Sequence, residues 1–304
     1  MKRPAAILIA GPTASGKSAL AIRLAKALGG IVLNADSMQV YRDLRIITAR
    51  PTEADEASVP HALFGTIDGA ENFSVSRWLA AAAAEIDAAK QLERIPIFVG
   101  GTGLYFKALT QGLSDIPPVP DAVRAAIREQ AEGRPSQALH ADLMLLDPLA
   151  ATKLRPTDPQ RIVRALEVFA ATGRSLLSFQ NSRSAPLLDP ARCPAVFLMV
   201  DRPALRARID RRFDTMMAEG ALDEVAALAA RDLDDALPIM RGHGVPPLLQ
   251  HLREGLPLDE AIATGKADTR RYIKRQETFA RHQLPGFPFV DADVAERFVL
   301  EMPC

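Results

Sequence analysis

Along the first 113 positions, apolar residues gather in short unbroken runs, separated by longer stretches where they recur every three or four residues. The runs at residues 5–10, 31–34 and 95–99 are too short for helices and lack the polar alternation of a half-exposed strand. They read as strands buried on both faces. Residues 17–28 and the alanine-rich tract 75–92 instead keep helical spacing. Strands and helices taking turns predict a parallel sheet covered by helices.

After Ser114 the texture changes, because IPPVP at residues 116–120 forbids regular structure. A helix is predicted over 121–132, stopped by Gly133, and a second from near Ser136. The clearest opens with Asp158 as N-cap and Pro159 in its first turn, and ends before Gly173. SRSAPLLDPARCP at residues 182–194 is again turn-rich. The two connectors bracket an inserted helical subdomain, residues 119–189, between core segments 1–118 and 190–304. Strand texture resumes at 195–200, followed by a helix over 203–219 with Leu205, Ile209, Phe213 and Met216 at helical spacing. Arg208, Arg211 and Arg212 occupy its other faces. The rest is mainly helical to Leu284, with a short β-like run at 287–290. The predicted fold is therefore α/β: a P-loop parallel sheet covered by helices, with an inserted helical subdomain and a mainly helical C-terminal part.

Composition narrows the classes. A chain of 304 residues that is 48% hydrophobic supports a real core. Cys193 and Cys304 cannot build a disulfide framework, which points to a reducing, cytosolic setting. Lys2 and Arg3 precede an apolar run too short for a signal core, and nothing resembles a membrane span. With 37 basic and 37 acidic residues, bulk charge gives no push toward nucleic acid. Local clustering remains: Lys266, Arg270, Arg271, Lys274, Arg275 and Arg281 share a predicted helix with only two acids, Asp268 and Glu277. Helical spacing brings Arg271, Lys274 and Arg275 to one side, although a solvated charged face is the commoner meaning of such a run. His61, His140, His251 and His282 lack metal-ligand spacing, and neither cysteine sits in a zinc pattern.

The most specific local signal is GPTASGKS, namely Gly11, Pro12, Thr13, Ala14, Ser15, Gly16, Lys17 and Ser18, lying between a strand and a helix. Its glycines let backbone N–H groups wrap a phosphate, and the helix N-terminus adds partial positive charge. Lys17 would neutralise terminal phosphate oxygens, and Ser18 would hold Mg2+ through its hydroxyl. The loop alone admits ATP, GTP or an isoprenoid diphosphate. Asp36 and Ser37 fall at the carboxyl end of the second strand, where ligands sit in open α/β sheets. Asp36 could be a general base, a magnesium-shell carboxylate or a cap. The strand at 95–99 runs into Gly100, Gly101, Thr102 and Gly103 with no acid at its end, unlike a P-loop NTPase with its Walker-B carboxylate. A guanine-binding N/T-K-x-D string is missing too.

GPTASGKS, NADSMQVYR, ITARPT (47–52), FVGGTGLYFKAL (98–109), DPQRIVRALEVFAATG (158–173), RIDRRF (208–213) and KRQ (274–276) together resemble the bacterial tRNA dimethylallyltransferase family. The matches fall in family order and span nearly the whole chain. The resemblance implies transfer of a dimethylallyl group from dimethylallyl diphosphate to the N6 amine of the adenosine 3′ of the anticodon. It assigns residues 11–18 to the diphosphate, Lys17, Thr102 and Arg212 to catalysis on the leaving group, Ser18 to Mg2+, and Asp36 to the general base. It also implies tRNA contacts at Asp36, Ser37, Met38, Gln39, Thr102, Arg124, Gln160, Arg161, Ile162, Val163 and Arg164, and at Arg241, His243 and Gly244. After Arg241 many relatives carry a G-Y-R-E/Q string where this chain reads RGHGVPPL, and Phe279 stands where tryptophan is usual. The implied partners are the tRNA anticodon stem-loop and dimethylallyl diphosphate, with Mg2+ as cofactor, no membrane, and a cytoplasmic monomer. The rival readings are a small-metabolite P-loop kinase, a prenyltransferase for free adenine nucleotides, and a nucleotide-gated RNA-binding switch.

Overall fold

The computed structural model describes residues 3–179 and 183–302. Lys2, Ser182 and Cys304, used above for the leader, the connector and the cysteine count, lie outside the described residues. Two compact units emerge, Met1–Thr110 with Leu187–Cys304, and Gln111–Pro186.

The larger unit begins with β1 (Ile7–Ala10), α1 (Lys17–Leu28), β2 (Gly30–Asn34), α2 (Glu53–Ser58), β3 (His61–Ala62), α3 (Val75–Gln91), β4 (Ile95–Gly100) and α4 (Gly103–Gln111). The smaller unit holds α5 (Asp121–Ala131), α6 (Ser136–Leu146), α7 (Pro148–Lys153) and α8 (Pro159–Thr172). The larger unit resumes with β5 (Ala195–Met199), α9 (Arg202–Ala218), α10 (Ala221–Ala229) and α11 (Val245–Glu254). It ends with α12 (Leu258–Gln283), β6 (Phe289–Asp291) and α13 (Ala295–Glu301).

All pairings in the six-stranded sheet are parallel, in the order β3-β2-β4-β1-β5-β6. β1 is central, with Ile9 beside Val99 on β4 and Val196 on β5. Successive side chains leave opposite faces of a strand. Leu8 and Phe98 accordingly join Trp78 and Phe106 in one core, while Ile7, Ile9 and Ile97 join Leu20 and Leu24 in the other. Burial on both faces explains the unbroken apolar runs. Each such side chain contributes roughly 1.5–3 kcal/mol.

Helix ends follow local chemistry. Gly29 closes α1 at φ 64°, and its N–H bonds to the Ala25 carbonyl. Asp158 caps α8 by accepting from the Arg161 N–H, and Gly173 ends it at φ 65°. The elements outside the sequence expectation include α2, opened by a reciprocal capping box between Thr52 and Asp55, the two-residue edge strand β3, and the last helix, α13. The smaller unit packs Leu139, Leu143, Ala150, Ile162, Ala165 and Leu166 into a core of its own. Its two chain ends meet: the Ser184 N–H donates 2.9 Å to the Leu113 carbonyl, beside an antiparallel bridge between Ser114 and Arg183. No helix among the described residues is long and apolar enough to cross a membrane.

Candidate active site

Three strand ends on one edge of the sheet supply the site. After β1 the chain takes left-handed conformations at Ala14 (φ 62°) and Gly16 (φ 87°), which turn backbone N–H groups toward a common centre. Gly16 offers α1 no side-chain cap, so the first N–H groups of the helix stay available to an anion. Ser15 is fully buried and its hydroxyl has no hydrogen-bond partner among the described residues. Lys17 Nζ donates 3.2 Å to the Pro12 carbonyl. Loss of hydration lowers the Lys17 pKa to about 8, against the pull of Asp36 and with the push of Arg212.

At the end of β2, buried Asn34 works as a latch. Its Nδ2 donates to the carbonyls of Asp36 (2.9 Å) and Leu63 (3.1 Å), and its Oδ1 accepts from the Asp36 N–H (2.8 Å). Its own carbonyl accepts from Trp78 Nε1 at 3.0 Å. Asp36 is thus fixed by a strand end rather than by a floppy loop. One carboxylate oxygen accepts from the Met38 N–H at 3.0 Å, while Oδ2 makes no hydrogen bond among the described residues.

The third strand end, Gly100-Gly101-Thr102-Gly103, packs on this latch. A Cβ at Gly100 would lie 2.0 Å from the Ala35 carbonyl oxygen, so only glycine fits. Thr102 Oγ1 accepts from the Ser37 N–H at 2.9 Å and donates to Ser37 Oγ at 3.2 Å. No acid ends β4. Asp201, just past β5, is occupied as the cap of α9, accepting from the Ala204 N–H.

Two cavities open at this edge. Counting all the open space each encloses, solvent included, the smaller is about 620 Å3 and is lined by Gly16, Lys17, Ser18, Arg50 and Arg212. The larger, about 700 Å3 on the same count, joins Asp36, His243, Tyr272 and Gln276 to an apolar wall of Ile209 and Phe213, and Arg212 again borders it. Burial lowers the Arg212 pKa and Asp36 raises it, yet the guanidinium forms no ion pair among the described residues. A desolvated cation without a counter-ion is costly unless an anion completes the site. Burial and the Asp36 carboxylate both raise the Tyr272 pKa, so its phenol stays protonated at neutral pH. His243 lies against the Tyr272 ring with centroids 4.0 Å apart, and burial lowers its pKa, favouring the neutral imidazole.

Of the other expected site residues in this unit, Met38 lines the larger cavity and Gln39 spends its amide on the Thr48 and Ala49 carbonyls, 2.9 Å each. Arg241 is exposed, and Gly244 takes φ 92°. Three of the six cations named on the basic helix α12 are paired with acids. Lys266 pairs with Asp214, Arg270 with Asp210 and Arg271 with Asp268, and the Arg281 guanidinium covers the Phe289 ring. In the smaller unit, Gln160 and Arg161 are exposed, Val163 and Arg164 are half-buried, and Arg124 pairs with Asp121 at 3.3 Å. The Ile162 side chain is fully buried in the core of that unit, as the helical period of α8 requires, and is turned away from Arg161 and Arg164.

Tyr272 and Gln276 were not anticipated as site residues. Gln276 ends the KRQ string, which was the available hint. Among the described residues no cluster of three or more His, Cys, Asp or Glu side chains could hold a metal ion. Ser18 at the lip of the smaller cavity fits Mg2+, which characteristically takes one or two protein oxygens and completes its shell with water and ligand phosphates.

The family described as IPP transferase matches residues 39–283, and that described as Isopentenyl transferase matches 4–61. The chain is 62% identical to the tRNA dimethylallyltransferase of Methylocella silvestris over 295 residues, 97% of each chain. It is 60% identical to that of Beijerinckia indica, across 97% of this chain and 98% of the relative. Among solved structures it resembles the tRNA isopentenylpyrophosphate transferase of Bacillus halodurans, with TM-score 0.68 and 34% identity over 97% of this chain and 93% of that one. It also resembles a eukaryotic dimethylallyltransferase acting on tRNA, with TM-score 0.78 and 28% identity over 94% of this chain and 73% of that one.

Proposed function

Because the chain belongs to the tRNA dimethylallyltransferase family of IPP transferases, we propose that it is a transferase that prenylates tRNA. In detail, it moves a dimethylallyl group from dimethylallyl diphosphate to the N6 amine of the adenosine 3′ of the anticodon. The observation that carries this reading is Arg212, a half-buried guanidinium on the wall of both cavities that forms no ion pair among the described residues. It stands where a diphosphate would meet an acceptor held near Asp36.

The loop at residues 11–18 and Lys17 hold the diphosphate in the smaller cavity, and the dimethylallyl group reaches the larger one. The N6 nitrogen attacks the allylic carbon as the C–O bond breaks, and the electron pair leaves on the diphosphate. Lys17, Arg212 and the loop N–H groups face the charge that develops there, and fixed donors of this kind lower a barrier without reorganising. Mg2+ at Ser18, when bound, supplies further neutralisation of the diphosphate. Asp36 takes the amine proton as nitrogen gains its new bond. An arylamine becomes acidic only at that stage, so an ordinary carboxylate suffices. The adenine leaves its stack to reach the site, and Tyr272 with His243 offers an aromatic surface beside Asp36.

The test is incubation with labelled dimethylallyl diphosphate, Mg2+ and tRNA lacking the modification, followed by digestion to nucleosides. Prenylated adenosine is the expected product. Consumption of ATP with phosphoryl transfer, and none of the allylic diphosphate, would replace this reading with a kinase.

A further inference from the structure

Among the described residues of the smaller unit, the buried acid Glu167 has two cationic partners, whereas buried Asp147 has none. Glu167 on α8 keeps 4% of its side-chain exposure, where a lone carboxylate would be costly to ionise. Arg128 on α5 donates from Nε to Glu167 Oε1 at 3.1 Å, and Arg164 on α8 donates from Nη1 to Oε2 at 3.2 Å. Two positive charges meet one negative, so the triad carries a net positive charge. Both arginine side chains keep part of their surface exposed, 48% and 40%. Each commits a single N–H group to the acid, leaving four of its five N–H groups for another anion. Arg124 lies one turn before Arg128 on the same side of α5.

A solvated arginine is mobile, and ordering its side chain on binding costs rotamer entropy. Here much of that cost is already met in the folded protein. Each guanidinium is tied to an acid that solvent barely reaches, while its own side chain stays partly exposed. Planar donors in a fixed pose suit the oxygens of a phosphodiester.

On these grounds, and resting on the reading of tRNA as substrate, we propose that Arg128 contacts backbone phosphate of the bound RNA and that Glu167 positions Arg128 and Arg164 for that contact. Arg128 is a binding residue and Glu167 a positioning residue. A simple clamp between α5 and α8 would need the same ion pairs, so the test must read RNA.

Binding of unmodified tRNA to the full chain is followed by fluorescence anisotropy across a salt series, with folding checked by thermal melts. Arg128→Ala is expected to weaken binding about 5- to 10-fold and to lower the slope of log K against log salt by about 1. In turnover the loss falls on KM for tRNA and not on kcat. Glu167→Gln discriminates by sign. It raises the net positive charge, so electrostatics alone would tighten RNA binding, whereas loss of positioning weakens it. Unchanged affinity and slope in Arg128→Ala, or tighter binding by Glu167→Gln, would overturn the proposal. Should Glu167→Gln fail to fold, Arg128→Lys decides, because it keeps the charge and loses the planar fork. A loss of about threefold or more supports the proposal, and wild-type affinity overturns it. If the wild-type chain itself shows no salt-dependent tRNA binding, the substrate reading fails instead.

Discussion

Gln276 on α12 donates a 2.9 Å hydrogen bond to the carbonyl of Gly101, across 175 residues of chain, and so ties the long C-terminal helix to the turn that ends β4. A Cβ at Gly101 would stand 2.2 Å from Gln276 Nε2 and 3.3 Å from Asp36 Oδ2. Gly101→Ala should therefore expel the Gln276 amide and crowd the carboxylate. Loss of a buried hydrogen bond costs about 1–3 kcal/mol. We expect a matching fall in unfolding free energy and lower kcat. Adding Gln276→Ala should relieve part of the stability loss, giving a non-additive double-mutant cycle. Strict additivity would show that the two residues do not interact.

Asp36→Ala should lower kcat by about 100- to 10,000-fold with little change in tRNA affinity, as removal of a general base does. Asp36→Asn should do nearly the same, because the amide can still accept from the Met38 N–H but cannot take a proton. Single-turnover rates with bound tRNA check this. Wild-type turnover by either variant would remove Asp36 from the mechanism.

Lys17 gives a pH signature. Its pKa is about 8 in the folded chain against an ordinary 10.5. Between those values the unfolded chain binds the extra proton, so this residue makes stability rise as pH increases from about 8 toward 10.5. Lys17→Met should lack that rise, which comparison of melting curves for the two proteins would reveal. The proposed diphosphate ligand would act the other way. An anion beside the ammonium favours its charged form, so diphosphate affinity of the wild-type chain should weaken as pH climbs above about 8. Titration calorimetry with inorganic pyrophosphate at several pH values measures this directly. A pH-independent affinity through that window would contradict it.

Glu224 on α10 accepts from the backbone N–H groups of Arg45, Ile46 (2.9 Å) and Ile47 (2.9 Å). That segment leads into Thr48 on the larger cavity and Arg50 on the smaller. Glu224→Gln replaces one acceptor with a donor that faces an N–H group. We expect a stability loss of about 1–3 kcal/mol, and a raised KM for dimethylallyl diphosphate as the cavity wall loosens. If only the melting temperature falls, Glu224 holds the fold and not the site.

What the sequence could disclose followed the range of the forces involved. The loop before Lys17, its flanking strand and helix, and the cap at Asp158 are local, decided by residues a few positions apart. β3 escaped notice because two residues, His61 and Ala62, carry no period. The box at Thr52 and Asp55 was in plain view, but the six-residue helix it opens is too short to show an apolar stripe. Tyr272 and Gln276 reach the site only through tertiary packing, which no nearby residue announces. The cationic run on α12 shows the converse. Its charges were legible, whereas the partners Asp210 and Asp214 lie on α9, more than 50 positions earlier.

The placement of β1 has a consequence for how the molecule is made. Its Leu8 pairs with Ala195 on β5, and the whole smaller unit is encoded between β4 and β5. During synthesis, one edge of the central strand therefore stays unpaired until residue 195 has left the ribosome. Closing so wide a gap is costly in chain entropy. The bond between Ser184 and Leu113 offsets much of that cost, because an insertion that folds first brings its own ends together and reduces the gap to a short tether. Nascent chains halted before β5 should expose the β1 edge and aggregate more readily than chains released after it.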